Sequence, residues 1–244
     1  MEIIMNKVNK KVVFITIFVL IVLITCCTVL CLEIRNRKEA QQEEYTRQLG
    51  ILAYRNNKFN LYQIENDKYD DYQVDVAFLC DSLTDLYDLE RYYPQYVTAN
   101  RGIGGDTTFG LQDRLQLSLF DLKPKVAVML IGANNPDTML NNYEDILVSI
   151  KQNLPDTKVV LLSLTSMGGE HWGKNNQIAA YNNVIIKMLA DKYNFEYVDL
   201  YSALLNVETG EIYQEFTTDG GHLTHEGYVR VTEMVTPVLD KILN

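Results

Sequence analysis

Four polar clusters in this 244-residue chain carry residue types that could do chemistry together. Cys80-Asp81-Ser82-Leu83-Thr84-Asp85 comes directly after the apolar run Val76-Ala77-Phe78-Leu79. Asn100-Arg101-Gly102-Ile103-Gly104-Gly105-Asp106-Thr107 and Gly132-Ala133-Asn134-Asn135 each follow a further apolar run, and Asp219-Gly220-Gly221-His222 lies near the end. A serine on a polar turn at the tip of a strand has its hydroxyl projecting, but it is a weak nucleophile without a base in hydrogen-bond reach. His222 is the candidate base, and Asp219 is the candidate group to fix its tautomer and stabilise the imidazolium. The backbone N–H groups of Ser82 and Gly105 and the side-chain amide of Asn134 offer three donors to the oxyanion of an acyl-transfer intermediate. Losing one such donor typically costs ~10²–10³ in rate. The chain order Ser, Asp, His is also that of α/β hydrolases.

Each cluster alone has an ordinary explanation. Asp-Ser after a strand reads as a turn or helix cap, and Asn134-Asn135-Pro136 reads as a turn. A glycine-rich loop after a strand could cradle a nucleotide phosphate, but the G-x-G-x-x-G spacing is absent, since Thr107 stands where the third glycine belongs. The weight lies in the joint occurrence.

The elements that must position these clusters follow a regular beat. Apolar runs at 74–79, 96–99, 126–131, 159–164 and 195–198 predict five strands. Segments of helical period at 107–119, 143–154, 176–193 and 224–243 lie between and after them. Strands alternating with helices imply right-handed crossovers and a parallel sheet, and near-continuous apolar strands imply helices on both faces. The expected fold class is α/β, a three-layer α/β/α doubly wound, flavodoxin-like sheet of about five parallel strands over residues 57–244. In such a sheet the loops after the strands share one edge, so the clusters converge. Thr224 reads as an N-cap and His225 as a solvated first-turn residue. Asp85 and Asp106 are expected to stiffen the site through backbone hydrogen bonds. Arg101 and Arg114 are expected to pair with them or to meet an anionic substrate.

Residues 12–32 form 21 consecutive residues without a charge, about 31 Å as a helix, which matches a bilayer's hydrocarbon core. No A-x-A-like cleavage site follows, and Thr25 before Cys26 is larger than a lipoprotein site usually has. The expectation is an uncleaved signal anchor: a short cytoplasmic N-terminus at 1–11, a transmembrane helix at 12–32, a juxtamembrane helix or linker at 33–56 that stops near Asn56-Asn57, and a body facing outside. Residues 57–73 read as a loop or short helix. The net charge of −10 is uneven, because Lys7, Lys10, Lys11, Arg35, Arg37 and Lys38 cluster around the apolar segment. An acidic body argues against a nucleic-acid partner. Of the four cysteines only Cys80 lies in the body, so the body has no internal disulfide, and no Cys/His spacing suggests a metal site.

Taken together, Cys80-Asp81-Ser82-Leu83, Asn100 to Thr107, Gly132-Ala133-Asn134-Asn135 and Asp219 to His222 resemble the four blocks of the SGNH, or GDSL, hydrolase family, over roughly residues 74–240. The resemblance implies Ser82 as nucleophile, Asp219 and His222 completing a triad, Gly105 and Asn134 with Ser82 in the oxyanion hole, and esterase chemistry without metal or cofactor. Two positions depart from the family: Cys80 replaces its glycine, and Asn135 its aspartate. A nucleophilic role for Cys80 is a minor reading. Asp81, together with Met167 and Trp172 in the loop after the fourth strand, are candidate substrate contacts. The implied substrate is an ester-bearing small molecule or acylated glycan, with O-acetyl groups on glycans suggested by family and location. An O-acyltransferase using the same site and a degenerate glycan-binding module remain open on sequence grounds. Oligomeric state is not legible.

Overall fold

The computed structural model describes residues 2–244. It divides after Asn56 into two units, the second running from Asn57 to Asn244. One helix, α1 (Glu2–Asn66), supplies the described residues of the first unit and the opening of the second. Its apolar side chains from Val12 to Leu32 are exposed, and an 18-residue window reaches a mean hydropathy of 3.1, long and apolar enough to cross a membrane. The helix does not stop at Asn56-Asn57 as the sequence suggested. It continues through Asn66, because Tyr62 and Asn66 on its last turns are buried against the body of the second unit.

That body is built on a five-stranded sheet: β1 (Val76–Cys80), β2 (Thr98–Gly102), β3 (Val126–Leu130), β4 (Lys158–Leu162) and β5 (Glu196–Val198). The order is β2-β1-β3-β4-β5, and every pairing is parallel. This is the expected doubly wound α/β fold. Every residue of β1 and β3 is buried, as strands covered on both faces require. The covering helices include α2 (Ser82–Asp85), α3 (Leu89–Tyr92), α4 (Thr108–Asp113), α5 (Tyr143–Asn153), α6 (Gly169–Trp172), α7 (Asn176–Tyr193), α8 (Leu200–Leu204) and α9 (His225–Leu243). A small antiparallel hairpin, β6 (Leu205–Asn206) with β7 (Glu211–Ile212), was not visible in the sequence pattern.

The topology locates the site. Chain order reverses between β1 and β3, the switch point where open α/β sheets bind ligands beyond the carboxyl ends of their strands. Cys80 is in register with Gly102 on one side and Leu130 on the other, so the three following loops start side by side. The predicted second strand was set two residues early. Asn100 and Arg101 belong to β2, because their polar groups find partners from other elements inside the fold. Asn100 Nδ2 donates to the carbonyls of Thr84 and Tyr87, and Arg101 is fully buried with acceptors for its guanidinium. Gly102 is required at the end of β2, since a Cβ there would lie 2.2 Å from the Asp85 nitrogen. The predicted helix at 107–119 is instead α4 followed by a wider π-type turn at Gln116–Phe120.

Candidate active site

Ser82 is the first residue of α2. Asp81 caps that helix, its Oδ1 accepting the Leu83 N–H at 3.1 Å. A first-turn N–H has no acceptor within its own helix, so the Ser82 amide is available to a ligand. Across the cleft, Asp219 and His222 occupy a tight turn that their own side chains organise. Asp219 Oδ1 accepts the N–H groups of Gly221 (3.0 Å) and His222 (2.8 Å), and Asp219 Oδ2 lies 2.7 Å from His222 Nδ1. A carboxylate only accepts, so Nδ1 carries the proton and leaves Nε2 as an acceptor. That nitrogen lies 3.1 Å from Ser82 Oγ, across 140 residues of sequence.

Burial alone would push the Asp219 carboxyl up. The bonds from the His222 amide, the His222 ring and the Gly221 amide outweigh that effect and hold it well below the usual carboxylate range. Asp219 is therefore ionised whenever His222 needs it to orient the ring and to stabilise a positive charge. The turn is anchored behind: the Thr218 N–H and Thr217 Oγ1 donate to the His222 carbonyl at 2.9 and 2.8 Å. Gly220 has φ +92° and lies so close to Gly168 that a Cβ would come within 2.0 Å of its carbonyl oxygen.

The glycine-rich loop follows β2. The Asp106 N–H pairs with the Ile103 carbonyl at 3.0 Å, a turn in which Gly105 takes φ +75°, a left-handed conformation suited to glycine. Asn134 Nδ2 donates to the Asp106 carbonyl at 2.9 Å, bringing the third loop onto the second. The amide has a second N–H for a ligand. Asn135 supports the same loops. It accepts the Thr108 N–H at 3.3 Å and donates to Thr108 Oγ1 at 3.0 Å, so the asparagine serves as a structural tie without a charge.

These loops enclose a small cleft lined by Asp81, Ser82, Leu83, Ala133, Asn134, Thr165, Met167, Trp172, Gly221 and His222. Seven candidate residues named from sequence thus share either one cleft or the hydrogen bonds around it, and Gly105 sits in the turn that Asn134 ties down. Free space beside Ser82 is about that of one water molecule. Thr165 was missed, although its position just beyond β4 at the same sheet edge could have indicated it. Leu83, Ala133 and Gly221 were named within the motifs but not singled out.

Other expectations divide. Thr224 is the N-cap of α9, accepting the Gly227 N–H at 3.1 Å. Asp106 pairs with buried Arg114 at 2.7 Å, and Asp85 accepts the Gly104 N–H at 2.9 Å. Arg101 does not face the cleft: Glu65, Asn66 and the Ser118 carbonyl take its guanidinium inside the protein, so it meets no anionic substrate. His225 is exposed in the first turn of α9, as expected, with the Tyr92 hydroxyl 2.5 Å from its Nδ1. Cys80 is buried in β1 with its Sγ 3.4 Å from Asp81 Oδ1. Burial first, then the neighbouring carboxylate, push its thiol far above the ordinary range. It lacks the positive φ that would demand glycine, so the cysteine is tolerated as packing. Among the described residues no cluster of three His, Cys, Asp or Glu side chains is arranged to hold a metal ion.

Residues 77–230 match the GDSL-like Lipase/Acylhydrolase family, and the chain belongs to that family. Solved structures agree with the fold. A Streptococcus pneumonia protein provisionally described as a platelet activating factor is 25% identical, with a TM-score of 0.69 over 79% of this chain and 95% of that one. A GDSL-like lipase from Bacteroides thetaiotaomicron is 21% identical, with a TM-score of 0.67 over 75% and 97%. An acetyl xylan esterase from Geobacillus stearothermophilus is 18% identical, with a TM-score of 0.57 over 69% and 95%. No curated protein matches the chain.

Proposed function

We propose that this protein is a serine ester hydrolase held to a membrane by the apolar part of α1, with its body outside the cell, and that it removes acetyl groups from glycans. The observation that carries the reading is the continuous chain from Ser82 Oγ through the His222 ring to Asp219, with links of 3.1 and 2.7 Å. Ser82 attacks the ester carbonyl while His222 Nε2 takes its proton. The charge that develops on the carbonyl oxygen is met by the N–H groups of Ser82 and Gly105 and the Asn134 amide. Collapse expels the alcohol, protonated by His222, and leaves an acyl-serine. Water, deprotonated by the same nitrogen, then releases the acid.

Two features support a short acyl group. The cleft beside Ser82 is small and is lined by Met167, Trp172 and Thr165, and similarly folded proteins include acetyl xylan esterases. The test is hydrolysis of p-nitrophenyl acetate by the detergent-solubilised full chain and by its Ser82→Ala variant, with fluorophosphonate labelling in parallel. Activity and labelling should both vanish in the variant. Equal rates in the two proteins would remove Ser82 from the mechanism.

A further inference from the structure

The loop that offers Gly105 to the oxyanion is not held by the sheet alone. Two of its backbone groups are gripped from the last turns of α1, within the second unit. Tyr62, 2% exposed, donates its hydroxyl to the Gly102 carbonyl at 2.7 Å. One helical turn earlier, Lys58 Nζ lies 2.5 Å from Asp85 Oδ1, and the other oxygen of that carboxylate accepts the Gly104 N–H at 2.9 Å. Both members of this ion pair are largely shielded from solvent, with 17% and 13% of their side chains exposed. The Tyr62 ring also lies under the Arg101 guanidinium, 4.6 Å from its centroid, and the same guanidinium pairs with Glu65 and Asn66 one turn further on. Arg114, at the end of α4, adds a further tie, binding Asp106 Oδ2, the Arg101 carbonyl and the Cys80 carbonyl at 2.7, 2.9 and 2.9 Å.

We propose that Lys58 and Tyr62 are positioning residues for the oxyanion loop, so that the end of α1 is a working part of the active site. The inference rests on the esterase reading above. Its physical basis is that an oxyanion donor stabilises the transition state only if it is already aimed, and a carbonyl and an N–H on either side of Ile103 fix the approach to the Gly105 turn. Neither residue touches substrate. Lys58 acts on Gly104 through Asp85, and Tyr62 acts on Gly102 directly. Their effect falls on kcat, because the ground-state ester needs the donors less than the developing oxyanion does.

The test uses the full chain in detergent, carrying Tyr62→Phe, Lys58→Met or Lys58→Arg, beside wild type and Ser82→Ala. The readouts are kcat and KM on p-nitrophenyl acetate, the inhibition constant for phenylboronic acid, which adds to the serine and places a negative oxygen near the hole, and the unfolding temperature. Tyr62→Phe and Lys58→Met should each lower kcat by roughly 10- to 100-fold, less than outright loss of a donor. KM should stay within about twofold, boronate binding should weaken in step with kcat/KM, and Lys58→Arg should restore most of the loss. Unchanged kcat in both variants, or a loss that follows unfolding temperature and leaves boronate affinity intact, overturns the proposal while leaving Ser82 in place. Wild type and Ser82→Ala hydrolysing at one rate overturns the esterase reading and this inference with it.

Discussion

Trp172 stands edge-on to His222, their ring centroids 5.6 Å apart with planes at 89°, and its indole N–H reaches Asp219 Oδ2 at 3.4 Å. One side chain therefore touches both partners of Ser82 and also walls the cleft. The two roles separate by substitution. Trp172→Phe keeps the edge contact and drops the N–H, and is expected to lower kcat on acetate esters by about tenfold or less, since a long hydrogen bond to an already well-bonded carboxylate contributes little. Trp172→Ala removes the wall. It should raise the ratio of kcat/KM for p-nitrophenyl butyrate over the acetate, even as the acetate rate falls. An unchanged ratio would show that Trp172 does not limit acyl length.

Asp219 and Asn134 make different demands on the same reaction. Asp219→Asn keeps an acceptor for the turn but allows the amide to present N–H to the ring, favouring the wrong imidazole tautomer. A loss in kcat of up to about 10⁴-fold is expected. Asn134→Ala removes one oxyanion donor and should cost ~10²–10³. Its boronate affinity should fall in parallel, whereas acetate product binding should not. Because its hydrogen bonds hold Asp219 below the ordinary carboxylate range, acidification should leave that carboxylate ionised well after ordinary surface carboxylates have titrated. Following the His222 ring by NMR through an acid titration checks this: its Nδ1 proton should stay hydrogen-bonded at pH values where exposed carboxylates are neutral.

Asp81 gives the clearest pH effect on stability. It is buried, and its Oδ2 has no hydrogen-bond partner among the described residues, so burial raises its carboxyl from 3.8 to about 6 despite the bond from Leu83. A folded value above the unfolded one means that the native state holds the proton more tightly. Stability is then greatest below the unfolded value and declines as pH rises from about 4 to 6. Asp81→Asn preserves an acceptor for the Leu83 N–H and has no charge to bury. Its unfolding free energy relative to wild type should climb by up to roughly 3 kcal/mol across that interval and then level off. Urea unfolding of both proteins at pH 4, 5, 6 and 7 measures the slope. A flat difference would mean that Asp81 is not held near neutrality by burial.

Much of this arrangement was legible because it depends on short-range rules. A serine opening a helix that the preceding aspartate caps, a histidine three residues after its carboxylate partner and a glycine taking φ +75° are local devices, and strand alternation then brings them to one edge. The end of α1 was hidden for the opposite reason. Residues 57–66 scatter Phe59, Leu61, Tyr62 and Ile64 among polar residues, with no long apolar stripe to mark a helix, and they are helical because Tyr62, Glu65 and Asn66 find partners about 35 to 50 residues away in sequence. The strand β2 was misplaced by the same logic: Arg101 reads as a loop residue until Glu65 and Asn66 are seen to neutralise and bond it in the interior. Buried polar pairing across long sequence separations leaves no periodic signal in either partner.

Cys80 offers a last discrimination, because it stands two residues from the candidate nucleophile and could claim its role. The residue is 1% exposed at the end of β1, and desolvation and the adjacent Asp81 keep it a thiol at neutral pH. A thiolate is the reactive form, so alkylation should be slow in the native protein. Iodoacetamide at pH 7.5 is expected to modify the exposed Cys26, Cys27 and Cys31 when detergent leaves them accessible, and to leave esterase activity intact. Cys80→Ala should retain at least about a third of wild-type kcat, with a modest loss of stability of about 1 kcal/mol from the small cavity it leaves. Rapid inactivation by iodoacetamide that Cys80→Ala abolishes would assign the nucleophile to the thiol and displace Ser82. Because alkylation reads the sulfur and fluorophosphonate labelling reads the hydroxyl, the two reagents applied to one preparation separate the two assignments without a natural substrate.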